Sequence, residues 1–142
     1  MNNPERMLTL DHVGFAVENL ALAAADLSLR LGVPAGAVES IAADGIEVSF
    51  LDLGPQSVEL LAPTRPDSSI SRFLGRRGPG LHHVAYLVDD IREELGRWQE
   101  LGAQLIDREP RVGSRGRLVA FVHPATENGV LTELVQVRRE PA

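Results

Sequence analysis

Cysteine is absent from this 142-residue chain, and so is lysine, because all fourteen basic residues are arginine. The first absence excludes disulfides, thiolate nucleophiles, Cys-ligated zinc and iron–sulfur clusters. The second excludes Schiff-base chemistry on lysine and the lysine of a phosphate-binding P-loop. Aromatics are scarce, at one Trp, one Tyr and four Phe, and the net charge is −6. A nucleic-acid binder would show a basic excess with stacking rings, so no nucleic-acid partner is expected. No apolar run approaches the roughly 20 residues that span a bilayer, and no membrane partner is expected either. Met1–Arg6 is polar and lacks the apolar core of a signal peptide, which makes cytoplasm the expected location. Chemistry therefore falls to four histidines, twenty carboxylates, hydroxyls, arginines or a bound ion. With 44% hydrophobic and 24% charged residues, the chain has the balance of one domain or two small fused modules.

What is present is a repeat. Leu10-Asp11-His12-Val13-Gly14-Phe15-Ala16-Val17 lies against Leu81-His82-His83-Val84-Ala85-Tyr86-Leu87-Val88 at an offset of 71, and Glu18-Asn19-Leu20 against Asp89-Asp90-Ile91 at the same offset. Leu31-Gly32-Val33 and Leu101-Gly102-Ala103 end the helical stretch of each copy, and Val58-Glu59-Leu60-Leu61 matches Thr132-Glu133-Leu134-Val135 at an offset of 74. Four matches in one order point to tandem modules, 8–62 and 81–138, joined by a linker over 63–80.

Local patterns give each module the order βαβββ. In the first, alternation predicts a strand over 8–17, and Leu20, Ala24, Leu27 and Leu31 predict a helix over 19–31. Extended stretches follow near 37–42, 45–53 and 56–62, with Gly54-Pro55 as a turn. In the linker, Asp67 or Ser68 can cap a helical turn that buries Ile70, Phe73 and Leu74. The second module reads as a strand over 81–88 and a helix over 89–101 with Ile91, Leu95, Trp98 and Leu101 in one stripe, Gly102 ending it. Strands near 103–107, 116–123 and 129–138 complete it. The expected fold class is α+β, two tandem βαβββ modules whose free sheet faces form one curved mixed-sheet cleft.

Alternation also sorts side chains by face. Val13, Phe15 and Val17 pack on the first helix, while His12, Gly14 and Ala16 look the other way; in the second copy His83 and Ala85 do the same. Glu59 and Glu133 occupy equivalent positions on the last strands. If first and last strands are neighbours, each module offers one His and one Glu, together a two-His, two-carboxylate set. Imidazole with carboxylate suits manganese, cobalt, nickel, zinc or iron(II), with positions left open for substrate oxygens. His82 turns to the opposite face and His123 sits at a strand end, so both read as structural. Arg72, Arg76, Arg77, Arg108, Arg111, Arg115 and Arg117 read as solubilising surface, or as holders of substrate phosphate or carboxylate.

These residues resemble the vicinal oxygen chelate superfamily (glyoxalase I, extradiol dioxygenases, bleomycin-resistance proteins) and, within it, the methylmalonyl-CoA epimerases over about 8–137. Leu10-Asp11-His12-Val13-Gly14 is shared across the superfamily. Closer to the epimerases are Val58 through Pro63, Pro66 through Leu74, Gly80 through Ala85, Glu109-Pro110-Arg111-Val112-Gly113, and Val122-His123-Pro124 through Leu134. The resemblance implies a divalent metal, cobalt foremost, on His12, Glu59 (Gln or Glu in relatives), His83 and Glu133. It further implies a homodimer and inversion of the α-carbon of an acyl-CoA, methylmalonyl-CoA, through a metal-stabilised enolate, with Glu133 as one base.

Several bacterial epimerases carry a second glutamate four positions along a Gly-initiated strand, but counting from Gly45 reaches Val48 here. Glu47 is the candidate second base if a bulge turns it to the site face; water, or no second base, are the alternatives. The aromatic pair usual in the first helix is replaced near Asp26-Leu27. Rival functions are a glyoxalase-like lyase or isomerase on the same metal set and a metal-free, drug-sequestering binding protein. An extradiol dioxygenase fits least, because it leaves one more position open for dioxygen.

Overall fold

The computed structural model describes residues 8–138, so the polar stretch Met1–Arg6 lies outside the described residues. The fold is α+β, with strands β1 (Leu8–Ala16), β2 (Glu39–Ile41), β3 (Ile46–Leu53), β4 (Gln56–Pro63), β5 (Gly80–Val88), β6 (Arg111–Val112), β7 (Leu118–Val122) and β8 (Thr132–Gln136). Its α-helices among the described residues are α1 (Leu20–Leu31), α2 (Ser69–Arg77) and α3 (Ile91–Glu100). The chain divides into two compact units, His12–His82 and the residues on either side of it, up to Asp11 and from His83 onward.

In the first unit the strand order is β2-β3-β4-β1. β1 runs parallel to β4, a pairing that needs a crossover, and α1 supplies it. The α1 start is capped by Asn19, whose side chain accepts the Leu22 N–H at 3.0 Å, and Gly32 ends it at φ +69. Leu20 and Ala24 of α1 pack with Leu51, Leu60 and Ala62, and Phe15 and Val17 join them, as the alternation predicted. The other sheet face buries Ala16, Ile46, Val48, Phe50 and Leu61 against Ile70, Phe73 and Leu74 of α2. Of the two candidate caps, Ser68 serves, its Oγ accepting the Ser71 N–H.

Gly45 is where backbone freedom matters most. Its φ is +67, and a Cβ there would lie 2.7 Å from Nε and 2.8 Å from Cγ of Arg65. Arg65 is itself held, donating to the carbonyls of Ala42 and Ala43 and pairing with Asp67. Gly45→Ala is therefore expected to cost about 2–3 kcal/mol, from a left-handed conformation an L side chain resists and from displacement of that guanidinium. Chemical denaturation measures it; an unchanged midpoint would refute this account of Gly45.

In the second unit the order is β5-β8-β7-β6, and β5 runs parallel to β8. Asp90 caps α3 by accepting the Glu93 N–H, and Gln136 Oε1 accepts the Ile91 N–H at 2.8 Å, tying helix to sheet. Ile91 and Leu95 pack on Val88, Ala120 and Leu134, with Tyr86 and Trp98 beside them. The expected stripe fails at its end: Leu101 lies beyond α3 and is 73% exposed. Glu94 is buried in its place on the helix and accepts from the Trp98 indole N–H and from Arg97.

The strand expected over 103–107 is a second correction. That segment forms only an isolated bridge, Leu105 to Val122, and the edge strand is β6, paired antiparallel with β7. The Asp107 side chain accepts the Phe121 N–H at 2.9 Å while the N–H groups of Ile106 and Asp107 both donate to the Phe121 carbonyl. A side-chain acceptor thus takes the place of a ladder bond, and pairing stops there.

Candidate functional site

In the first unit β1 and β4 pair with Gly14 opposite Glu59 and His12 opposite Ser57, so His12 and Glu59 share a sheet face. Both are buried, 2% and 3% exposed. The His12 Nε2 stands 3.3 Å from Glu59 Oε1. On the far side of β4, Phe50 is in register with Glu59, and its ring meets the His12 imidazole edge-on at 5.6 Å and 86°.

The second unit repeats the arrangement. Ala85 pairs with Glu133 across β5 and β8, which puts His83 on the Glu133 face, and both are buried, 1% and 7% exposed. His83 Nε2 lies 3.9 Å from Glu133 Oε1. Phe121 of β7 is in register with Glu133 and meets the His83 ring at 5.6 Å and 87°. The condition set by the sequence, that first and last strands of each module be neighbours, holds in both.

The two phenylalanines were missed from sequence. They stand at the same offset of 71 as the histidines, and that offset was the available signal. Each T-shaped contact packs a ring against the imidazole beside its carboxylate. Phe121 is held further by the Asp107 bond to its N–H and by Arg111, whose guanidinium lies over the ring at 5.9 Å.

Glu47 does not join this face. β3 and β4 pair without a bulge from Ile46 opposite Pro63 to Leu53 opposite Gln56. Phe50 shares the Glu59 face, so Glu47, three residues earlier, lies on the α1 side, opposite Ala62. Val48 takes the position facing α2. The bulge the expectation needed is absent.

His82 packs edge-on to Phe73 at 5.0 Å, and His123 caps the turn Pro124–Thr126 by accepting the Ala125 N–H on Nδ1 at 3.0 Å. Arg117 is not surface: its side chain is 13% exposed, and Nη1 donates to both oxygens of Asp11 at 2.9 and 2.8 Å. The residue before His12 is thereby anchored by a half-buried charge-assisted pair, which alternation on the strand could not show.

Imidazole beside carboxylate is a donor set that could hold a cation. His12, Glu59 and His83 are buried side chains of metal-ligating type, and Glu133 matches Glu59 in the repeat. Imidazole nitrogens turned to carboxylate oxygens in apolar walls suit a divalent ion, which compensates buried negative charge.

The model of the glyoxalase/bleomycin resistance protein/dioxygenase superfamily matches residues 11–121. The chain belongs to that superfamily. It is 39% identical to the ethylmalonyl-CoA/methylmalonyl-CoA epimerase of Cereibacter sphaeroides, covering 90% of this chain and 97% of the relative. It is 36% identical to the mitochondrial methylmalonyl-CoA epimerase of Bos taurus, over 89% of this chain and 73% of the other. Among solved structures, a variant of Streptomyces coelicolor methylmalonyl-CoA epimerase with 2-nitronate-propionyl-CoA matches at a TM-score of 0.89 and 31% identity, over 94% of this chain and 100% of that one. The superfamily and epimerase resemblance read from motifs is thus shown. Among the described residues, no helix is long and apolar enough to cross a membrane.

Proposed function

We propose that the chain is a metal-dependent epimerase that interconverts the two configurations of methylmalonyl-CoA. The supporting observation is the buried His–Glu–Phe group that appears once in each unit, in a chain whose relatives carry that activity in their names. In this reading His12, Glu59, His83 and Glu133 are the ligands of one divalent ion, cobalt first, with manganese, nickel or zinc as substitutes. Bound there, the ion supplies positive charge for the substrate oxygens on either side of the α-carbon. The chain works as a single domain in this reading, and as a homodimer.

The protein's own part is proton handling. Glu133 takes the α-proton from one face. With Glu47 on the far side of its sheet, the proton returned to the opposite face comes from water. Buried walls around each pair, Phe50 in one unit and Phe121 in the other, hold the imidazoles in place while the carboxylate acts.

Incubation with (2R)- or (2S)-methylmalonyl-CoA in deuterated water, with and without cobalt, tests the proposal. Wild type exchanges the α-hydrogen and gives deuterated product of inverted configuration, and chelation lowers the rate by about a thousandfold. Glu47→Gln keeps the wild-type rate within about twofold, as expected of a residue on the α1 face. No exchange by the cobalt-loaded chain would overturn the epimerase assignment, and a collapse of rate in Glu47→Gln would overturn the water step.

A further inference from the structure

The chain is acidic, with twenty carboxylates against fourteen arginines, yet α2 carries three arginines and no acid in nine residues. Two nearby arginines serve the local fold. Arg65 holds the carbonyls of Ala42 and Ala43 and pairs with Asp67, and Arg72 Nη1 donates to the Asp67 carbonyl at 2.8 Å. Arg76 and Arg77, in the last turn of α2, are exposed and form no ion pair with a carboxylate among the described residues. Arg77 lies over the Phe73 ring at 5.7 Å, and the His82 ring meets Phe73 edge-on.

A cation in the last turn of a helix is favoured by the helix dipole, and one arginine meets that demand. It does not account for a helix free of acid in so acidic a chain. The placement adds to this. Ile70, Phe73 and Leu74 on the inner side of α2 pack on Ala16, Val48, Phe50 and Leu61, the face of the first sheet that carries His12 and Glu59. Arg76 and Arg77 are therefore the exposed cations of the helix that covers the face bearing this unit's candidate ligands.

We propose that Arg76 and Arg77, supported by Phe73, bind the phosphates of the nucleotide end of an acyl-CoA substrate. The proposal rests on the acyl-CoA reading above and deepens it. A substrate bearing several phosphate charges is repelled by a chain of net charge −6, so its approach needs a local positive surface. Guanidinium forks fit phosphate oxygens bidentately, and a guanidinium resting on a ring is partly ordered beforehand.

The experiment pairs two substrates and one probe. In R76Q/R77Q the KM for methylmalonyl-CoA rises about tenfold while kcat stays within about twofold, because the lost contacts lie far from the reacting carbon. Methylmalonyl-pantetheine, which lacks the nucleotide, is turned over equally by wild type and variant. Titration calorimetry with adenosine 3′,5′-bisphosphate shows binding to wild type that weakens in the variant by the same factor and returns in part in R76K/R77K. Equal effects on both thioesters, or bisphosphate binding unchanged in R76Q/R77Q, would overturn the phosphate site. Should wild type turn over neither thioester, the epimerase reading fails while the bisphosphate titration still decides this one.

Discussion

His83→Ala is expected to purify folded, to lose its stoichiometric divalent ion and to exchange no measurable α-hydrogen. His83 is 1% exposed, its Nε2 is turned toward Glu133, and its ring is packed against Phe121. Alanine removes one of only two imidazole donors in the proposed set. The loss of activity should reach at least about a thousandfold, since the charge stabilisation contributed by the ion goes with it. Thermal unfolding provides a reading independent of turnover. An ion present at a hundred times its dissociation constant stabilises the native state by about 2.7 kcal/mol. Wild type should therefore gain in Tm on addition of cobalt, whereas His83→Ala should not. His83→Gln, which keeps most of the volume, guards against the objection that a cavity alone is responsible. Retention of one ion per chain by either variant, measured by elemental analysis, would remove His83 from the ligand set.

The two glutamates offer the second large effect, because they are equivalent in the repeat and unequal in the proposed chemistry. Glu133→Gln keeps shape and an oxygen donor but removes the base, and kcat should fall by about 10³–10⁴-fold with the ion still bound. Glu59→Gln should cost less than about tenfold, because Glu59 is only a ligand and an amide oxygen can substitute for a carboxylate oxygen there. The geometry already separates them: Glu59 stands 3.3 Å from its histidine and is the more buried, while Glu133 stands 3.9 Å away. Single-turnover exchange alongside metal content distinguishes loss of base from loss of ion. Equal effects of the two substitutions would overturn the assignment of Glu133 as base and Glu59 as ligand only.

Much of this was legible before any coordinates. Period-two alternation places His12 with Gly14 and His83 with Ala85, and a repeat at fixed offset marks Glu59 and Glu133 as their counterparts, because a strand's faces follow directly from its residue spacing. The face of Glu47 was also legible, since it follows from parity alone. What parity leaves open is a bulge, and only the pairing of β3 with β4 excludes it. The segment 103–107 read as a strand from its composition, and nothing local reveals that Asp107 bonds the Phe121 N–H fourteen residues away. Arg117 looked like its surface neighbours for the same reason: its partner, Asp11, is 106 residues distant.

By itself the sequence determined the two βαβββ modules, the metal-ligand candidates and the kind of chemistry open to a chain without thiol or amine. These rest on periodicity and residue type, which act locally or repeat at a fixed interval. The tertiary structure alone decided that Phe50 and Phe121 pack against the histidines, that Glu94 is buried and Arg117 half-buried, and that no bulge turns Glu47 away from the α1 face. Each of those depends on which strand lies beside which and in what register. Such pairings are set by long-range packing, and a single sequence carries no local trace of them.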